Sequence, residues 1–550
     1  MGCLFVWTPS SPFQADYHGA MEPDDEAQPN LEKLAKDLEG LLLDPNRLND
    51  ADPELLKRLR AAAGKVALPD RLARRAFSNQ RRKQDKQQAR AKDDQALNAT
   101  SNRALKRSLR FPTAPPELQV SERDRELLEQ QAWKPKDGAL DPANLLEEPA
   151  NCYICKESYR ELHSHYDALC PSCATLNWEK RSQTADLSGR VALITGSRVK
   201  IGYEASLMLL RAGVELIATT RFPCDSARRF AAEQDYGDWS GRLHIFGLDL
   251  RHTPSVEAFA KHINGSFDRL DFLLHNACQT VRRPPAYSAH LMQGEAPGDL
   301  EPSVRNLLRG HEQLLADLGA QPAEQVAQLS GTADPADLSV QSHKKPSALV
   351  GLTQASGMSQ LDILDENKER GLFPEGMLDG DGQQLDLRSK NSWRMELSEV
   401  PTVELIEVQL VNAIAPFVLN ARFKNLMAKA GTRDQHVVNV SAMEGQFYRT
   451  FKTTRHPHTN MAKASLNMMT RTSAADFFQS GIHMNSVDTG WVTDEDPFEA
   501  AVKKEQEQRF APPLDCIDGA ARIVDPIFVG FNTGVHCWGQ FLKDYEPARW

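Results

Sequence analysis

The sequence predicts an α/β protein: a doubly wound parallel sheet, joined to a small four-cysteine module and an α-helical N-terminal arm. Three observations predict it. Val191-Ala192-Leu193-Ile194 is an apolar run of strand length that opens into Thr195-Gly196, a turn ending at Gly202, and an amphipathic helix through Leu207 and Leu210. Cys152 and Cys155 are followed, after fourteen residues, by Cys170 and Cys173. Leu31, Leu34, Leu38, Leu41 and Leu42 recur at helical spacing near the start.

The 550 residues exceed what one hydrophobic core usually organises, so two or more domains are expected. With 65 basic and 75 acidic side chains the net charge is −10, which gives the whole molecule no bulk attraction for polyanions. No uninterrupted apolar run approaches the ~20 residues that span a bilayer, so no membrane association is expected. The short apolar patch Leu4–Trp7 has no basic residue before it, and Val6 stands where a myristoylation signal wants Ser or Thr. Nine cysteines, four clustered and five scattered, do not form a disulfide framework. A reducing compartment is expected, cytoplasmic with the nucleus as the alternative.

Residues 1–150 read as a helical, partly disordered arm. A second helical pattern carries Leu55, Leu56 and Leu59. From 70 to 110, thirteen Lys or Arg face four Asp or Glu on a Gln- and Ala-rich stretch, a pattern of a solvated, salt-laced helix. Nucleic-acid binding is disfavoured, since no run of stacking aromatics interleaves these charges, but a patch for RNA or a partner stays open. Residues 111–150 carry Pro112, Pro115, Pro116, Pro135 and Pro142 and read as linker.

The module at 151–180 is the sharpest signal. Two Cys-x-x-Cys knuckles converge four thiolates on one tetrahedral site with no open position, which suits structural Zn²⁺ held by Cys152, Cys155, Cys170 and Cys173. It resembles a zinc ribbon, a possible site for a protein partner. His163 and His165 are expected as exposed loop residues.

From 186 to 550 the elements follow in order. Glu215–Thr220 is the second strand, Ile245-Phe246-Gly247 a third before Asp249-Leu250, and His275-Asn276-Ala277-Cys278 ends a fourth. Backbone amides at the helix start after Gly196 would receive a pyrophosphate. In this order the chain resembles a short-chain dehydrogenase/reductase, a Rossmann-fold family of NAD(P)-dependent oxidoreductases. It is an atypical resemblance, because Lys200 stands where the family's middle glycine belongs. The resemblance implies cofactor contacts from Thr195, Gly196, Ser197, Arg198, Ile201, Gly202, Asp249, Leu250, Asn276 and Ala277. Arg221, with no acidic residue at the ribose position, implies NADP, with NAD as the alternative, and Arg198 as a second clamp.

The family's tetrad is Asn, Ser, Tyr and Lys. It places the Asn at Asn412, ahead of Ala415-Pro416-Phe417, and the Lys, which also holds the nicotinamide ribose, at Lys463. The Tyr position is Thr459. Counting back from Gly445 puts the Ser position at Ala442, with Ser441 one place early as the available hydroxyl. A phenol titrates near pH 10 and an aliphatic hydroxyl far higher, so Thr459 cannot donate a proton by the same mechanism. Tyr448, His456 and His458 lie on the same connection and are alternatives. Thr489 replaces the Pro of the turn near the nicotinamide, and Thr493 is the nearest candidate for its carboxamide. Asp518–Val524 reads as a helix and Gly539–Leu542 as a strand.

About 100 residues more than the fold needs lie at about 284–400, with a helix expected around Leu307–Leu318. Beside the strand C-termini they would form a lid, with Arg282 and Arg283 as possible grips on an anion. Two functions stay open. One is NADP-dependent hydride transfer to or from a small carbonyl or alcohol; the other is a non-catalytic NADP-binding sensor or adaptor. An RNA-associated role rests on the ribbon and basic stretch alone. Family members often self-associate, so a homo-oligomer is implied by resemblance.

Overall fold

A computed structural model describes residues 27–44, 48, 51–68, 70–107, 145–318, 349–364, 371–374, 376–379, 381–448 and 452–550. The expectations for 1–26, for most of the 111–150 linker and for 319–348 of the insertion lie outside these residues.

The chain divides into two units, 1–88 and 89–550. The first holds α1 (Ala27–Leu43), α2 (Pro53–Ala67) and the start of α3 (Arg71–Asn98). Asp52 caps α2 by accepting from the Glu54 amide, and Pro53 fits the first turn, where no N–H is needed. Leu31, Leu34 and Leu55 stay exposed.

In the second unit the end of α3 and α4 (Ser101–Arg107) do not float as a solvated arm. Arg103 is buried against Asp167 at 2.6 Å, and the Asn102 amide donates to the Pro513 carbonyl. The local positive charge of 70–110 is therefore partly spent on internal pairing. The four-cysteine module begins earlier than expected, with β1 (Leu145–Asn151) antiparallel to β2 (Ser158–Glu161), and closes with α5 (Pro171–Ser182). His163 and His165 are buried beside Tyr166 and Trp178, contrary to the expected exposure. The reason is tertiary: this loop packs on a helix more than 300 residues downstream, and His165 Nε2 sits 3.3 Å from Asp515.

The rest is one eight-stranded sheet with helices on both faces. Its strands are β3 (Val191–Thr195), β4 (Glu215–Thr220), β5 (Leu243–Gly247), β6 (Phe272–His275), β7 (Gln435–Ser441), β8 (Ile482–Asp488), β9 (Phe541–Lys543) and β10 (Glu546–Ala548). The order is β5-β4-β3-β6-β7-β8-β9-β10, all parallel except the last pair. The inner strands are buried on both faces, and their alternate apolar residues feed two cores. Ala192, Ile194 and Leu216 meet α6 (Lys200–Arg211) and α15 (Cys516–Thr533), while Val191, Leu193 and Ile217 face α8 (Thr253–Ser266) and α12 (Ala415–Lys429).

The chain reverses direction across the sheet between β3 and β6, opening a crevice at the strand C-termini. In the insertion, α9 (Pro285–Met292) and α10 (Arg309–Asp317) precede α11 (Thr402–Gln409). A π-helical turn at Leu410–Ile414 joins α11 to α12. This continuous Thr402–Lys429 helix is long and apolar enough to cross a membrane by length and composition. In the fold it buries Leu419, Phe423, Leu426 and Met427. After β7 come α13 (Pro457–Gln479), then α14 (Phe498–Gln508), then α15.

Candidate active site

The crevice at the C-terminal edge holds a cavity of ≈ 1480 Å³. Its floor begins at the turn after β3. Gly196 has φ +72, and a Cβ there would stand 2.8 Å from the Ala277 Cα. A Cβ on Gly202 would meet the Gly196 carbonyl oxygen at 2.1 Å. Both positions demand glycine because two backbones touch. The loop is tied by the Thr195 hydroxyl, which accepts from the Ala277 amide at 3.1 Å, and by the Asn276 amide donating to the Gly196 carbonyl at 2.9 Å.

Helix α6 then starts with no side-chain cap, leaving its first amides open to an anion. Lys200 takes the left-handed conformation, φ 57, that the missing glycine would have supplied. Burial opposes its charge, but Glu495, Asp381 and Asp379 outweigh it and hold its pKa above the ordinary lysine value. The amine thus serves carboxylates brought by the insertion and by the 494–496 turn.

Beyond β4, Arg221 is exposed on the cavity wall and has no ion pair or hydrogen bond among the described residues; its nearest ring is Phe222 at 5.8 Å. Arg198 differs. It is 8 % exposed, pairs with Asp225 at 2.7 Å and donates to Gln383 at 2.8 Å, so it is no free second clamp. The Asp249 carboxylate is likewise engaged by Arg251, which also reaches Glu407. Ala277, Leu250 and Thr220 line the same end of the cavity; Ile201 lines its middle, and Thr195 and Ser197 lie beneath. Gly351 of the insertion accepts from the Asp249 amide at 2.8 Å, bringing the insertion against this end.

At the other end, β7 and β8 run in register with Ser441 opposite Asp488, so both side chains emerge on one face. Ser441 Oγ and Asp488 Oδ2 are buried and without hydrogen-bond partners among the described residues. Asp488 Oδ1 accepts from the Gly490 amide at 2.9 Å. Burial pushes the Asp488 carboxyl up to about 6, against the Gly490 amide and Lys543. Lys463 lines the cavity and donates to the Val440 carbonyl at 2.7 Å. Asn412, in the π-helical turn, is spent on the Gln279 backbone, accepting at 2.8 Å and donating at 3.1 Å.

Thr459 lies on the Lys463 face of α13 but is 2 % exposed and outside the cavity lining. Its side chain is too short to span what a phenol would. His458 is buried with Nε2 3.7 Å from Glu404, and Tyr448 is 66 % exposed beneath Arg549; neither lines the cavity. Thr493 donates to Glu495 at 3.0 Å. Arg282 and Arg283 are neutralised by Glu407 and by Asp386, so neither is a free grip for an anion.

Two groups at this end, Asp488 and Tyr153, were not singled out by sequence. Asp488 closes β8, whose apolar Ile482, Met484 and Val487 are interleaved with His483, Asn485 and Ser486. Tyr153, inside the first knuckle, walls the cavity and accepts from the Trp491 amide at 3.0 Å. His456, at φ 41, stacks on Trp393 of the insertion with centroids 4.0 Å apart and an interplanar angle of 3°. The insertion thereby closes on both ends of the crevice.

Residues 190–291, which hold the turn and the first four strands, match the family model described as short chain dehydrogenase. Through this segment the α/β domain is similar to the short-chain dehydrogenase/reductases. The chain is similar to the uncharacterized protein R665 of Acanthamoeba polyphaga mimivirus, 28% identical over 413 residues, 71% of this chain and 74% of that one. It is also similar to dehydrogenase/reductase SDR family member 13 of Bos taurus, 37% identical over 106 residues, 18% of this chain and 27% of that one. A short chain dehydrogenase of Burkholderia cenocepacia solved with NADP aligns at 14% identity and TM-score 0.38, covering 65% of this chain and 97% of that chain. The similarity to the viral protein extends over far more of this chain than the similarity to the bovine one does.

The four cysteine sulfurs lie within 4.8 Å of one another, with Cys155 and Cys170 at 3.6 Å. Zn–S bonds of about 2.3 Å place sulfurs about 3.8 Å apart in a tetrahedron, so the four thiols fit a closed metal site.

Proposed function

We propose that this chain is an NADP(H)-linked oxidoreductase of small carbonyl or alcohol substrates, with an altered proton donor. The observation that carries the reading is the pair of buried, unpartnered atoms Ser441 Oγ and Asp488 Oδ2 at the ends of adjacent strands. In carbonyl reduction the bound dinucleotide supplies the hydride. The Ser441 hydroxyl orients the substrate oxygen, and protonated Asp488 donates its proton to that oxygen, then regains one from water. Lys463 holds the ribose beside them, and Asn412 keeps the Gln279 backbone in place. The uncapped amides of α6 and the unpaired Arg221 suit a pyrophosphate and a 2′-phosphate. Zinc on the four cysteines keeps Tyr153 against the Trp491 backbone. None of the eight described cysteines is in a disulfide, in keeping with the reducing, cytoplasmic setting this reading proposes.

The test is fluorescence titration with NADPH and NADH, followed by NADPH consumption over a carbonyl panel at pH 5 to 8. Consumption that is abolished in Lys463→Ala and declines above pH ~6 is expected. A second reading, a sensor that binds the dinucleotide without turnover, is favoured by one observation: the family's phenol is replaced by Thr459, which stops short of the cavity. Tight NADPH binding with no consumption of any carbonyl would select it.

A further inference from the structure

The base of the sheet, opposite the crevice, carries three histidines that neither reading uses. His436 is the second residue of β7 and His483 the second of β8, and the two are register partners, so their imidazoles project on one side. His536 follows Gly534, the left-handed end of α15, and folds back onto them. One ring nitrogen from each lies within 4.8 Å of the other two. His436 Nε2 and His536 Nδ1 are 2.8 Å apart, and the three ring centroids are 5.0 to 5.2 Å from one another.

Three features set this cluster apart from ordinary core packing. His436 is fully buried, and its Nδ1 has no partner among the described residues, a costly state for a polar atom that serves no purpose. His483 Nδ1 lies 3.2 Å from the Gln435 carbonyl; an N–H donated there leaves Nε2 with the lone pair, the arrangement by which outer hydrogen bonds orient ligating imidazoles. Gly530 makes room: a Cβ on it would stand 2.3 Å from His536 Nδ1. The neighbouring charges, Asp434 and Arg190, neutralise each other through two hydrogen bonds of 2.8 Å.

We propose that His436, His483 and His536 form a second metal site, distinct from the four cysteines, that binds one divalent transition ion, zinc in the cell. Zn–N bonds of about 2.0–2.1 Å separate tetrahedral ligands by roughly 3.3 Å; one pair of these nitrogens is 2.8 Å apart and the other pairs lie within 4.8 Å. Three neutral imidazoles select the zinc, cobalt and nickel class over magnesium or calcium. The partly exposed His536 gives the ion an entry path and leaves the fourth position to water. A seven-residue strand spans about 20 Å, so this ion sits far from the crevice and takes no part in hydride transfer. It pins the connection before β9 to the starts of β7 and β8.

The test uses the full chain without a histidine tag, equilibrated with excess zinc, gel-filtered and analysed for metal. About two zinc equivalents per chain are expected, falling to about one in His536→Gln and in Gly530→Ala, the second of which displaces His536 without removing a ligand. Cobalt added to zinc-loaded Gly530→Ala should give no visible bands, whereas in His436/His483/His536-competent protein, briefly chelated to free the weaker site, it should give nitrogen-ligated bands without thiolate charge transfer. One equivalent in the unaltered protein, or a second equivalent that survives both substitutions, would overturn the proposal.

Discussion

The two ends of the crevice share one sheet edge and differ in what holds their groups in place. At the β3–β4 end the working parts are backbone: glycines in contact, uncapped amides and one unpaired guanidinium, Arg221. At the β7–β8 end they are side chains, drawn from the strands, the cysteine module through Tyr153, and the insertion through Trp393. Backbone geometry tolerates extensive change in neighbouring side chains, which is why Lys200 can stand in for a glycine by adopting φ 57. The side-chain end has no such tolerance. Once a threonine replaces the phenol, the proton has to come from elsewhere.

The largest test of this contrast is metal removal. Chelation, or Cys170→Ser, is expected to destabilise the protein by about 5 kcal/mol or more in urea melts, since a closed site contributes binding energy directly to folding. If a folded sheet persists, it should lose the Tyr153 wall yet bind NADPH over NADH as the proposed function requires. Gly202→Ala comes next. A methyl 2.1 Å from the Gly196 carbonyl forces the turn apart, and NADPH affinity should fall about 100-fold by fluorescence titration, an overpacking cost of about 3 kcal/mol.

Asp488→Asn probes the side-chain end through stability. The folded pKa of about 6 lies above the unfolded value near 3.9, so the native state binds the proton more tightly. Stability is therefore lost as pH rises from about 4 through about 6, and the deficit is complete above that. The neutral amide should raise stability at pH 8 by about 3 kcal/mol and by nearly nothing at pH 4, measured by urea melts at both pH values, while abolishing NADPH consumption. Arg221→Ala should weaken NADPH about 20-fold and leave NADH unchanged, the expected loss of one charge-assisted contact. The smallest effect belongs to Thr459→Val. With its hydroxyl buried and unpartnered, the swap should leave thermal stability and NADPH affinity within about twofold of the unaltered protein.

The fold was legible because a strand buried on both faces reads as an apolar run, and Val191–Ile194 is such a run placed directly before the glycine turn and an amphipathic helix. The four-cysteine module was legible from spacing, although its start at Leu145 was hidden in Pro-containing sequence. Long-range pairing was not legible. Arg198 and Arg282 look free in a sequence, but each meets a carboxylate or amide far along the chain, Arg198 with Gln383 and Arg282 with Glu407. Asp488 escaped notice for the opposite reason, since its importance lies in having one oxygen without a partner.

By itself the sequence determined the α/β class, the nucleotide turn at Gly196 and Gly202, the four clustered thiols and the absence of the family's phenol at position 459. These are local properties, set by periodicity, by backbone conformations only certain residues adopt, and by residue identity. The tertiary structure alone decided which charges are already spent, which buried polar atoms remain unanswered, and which histidines meet, because burial and pairing depend on segments hundreds of residues apart being brought within a few ångströms.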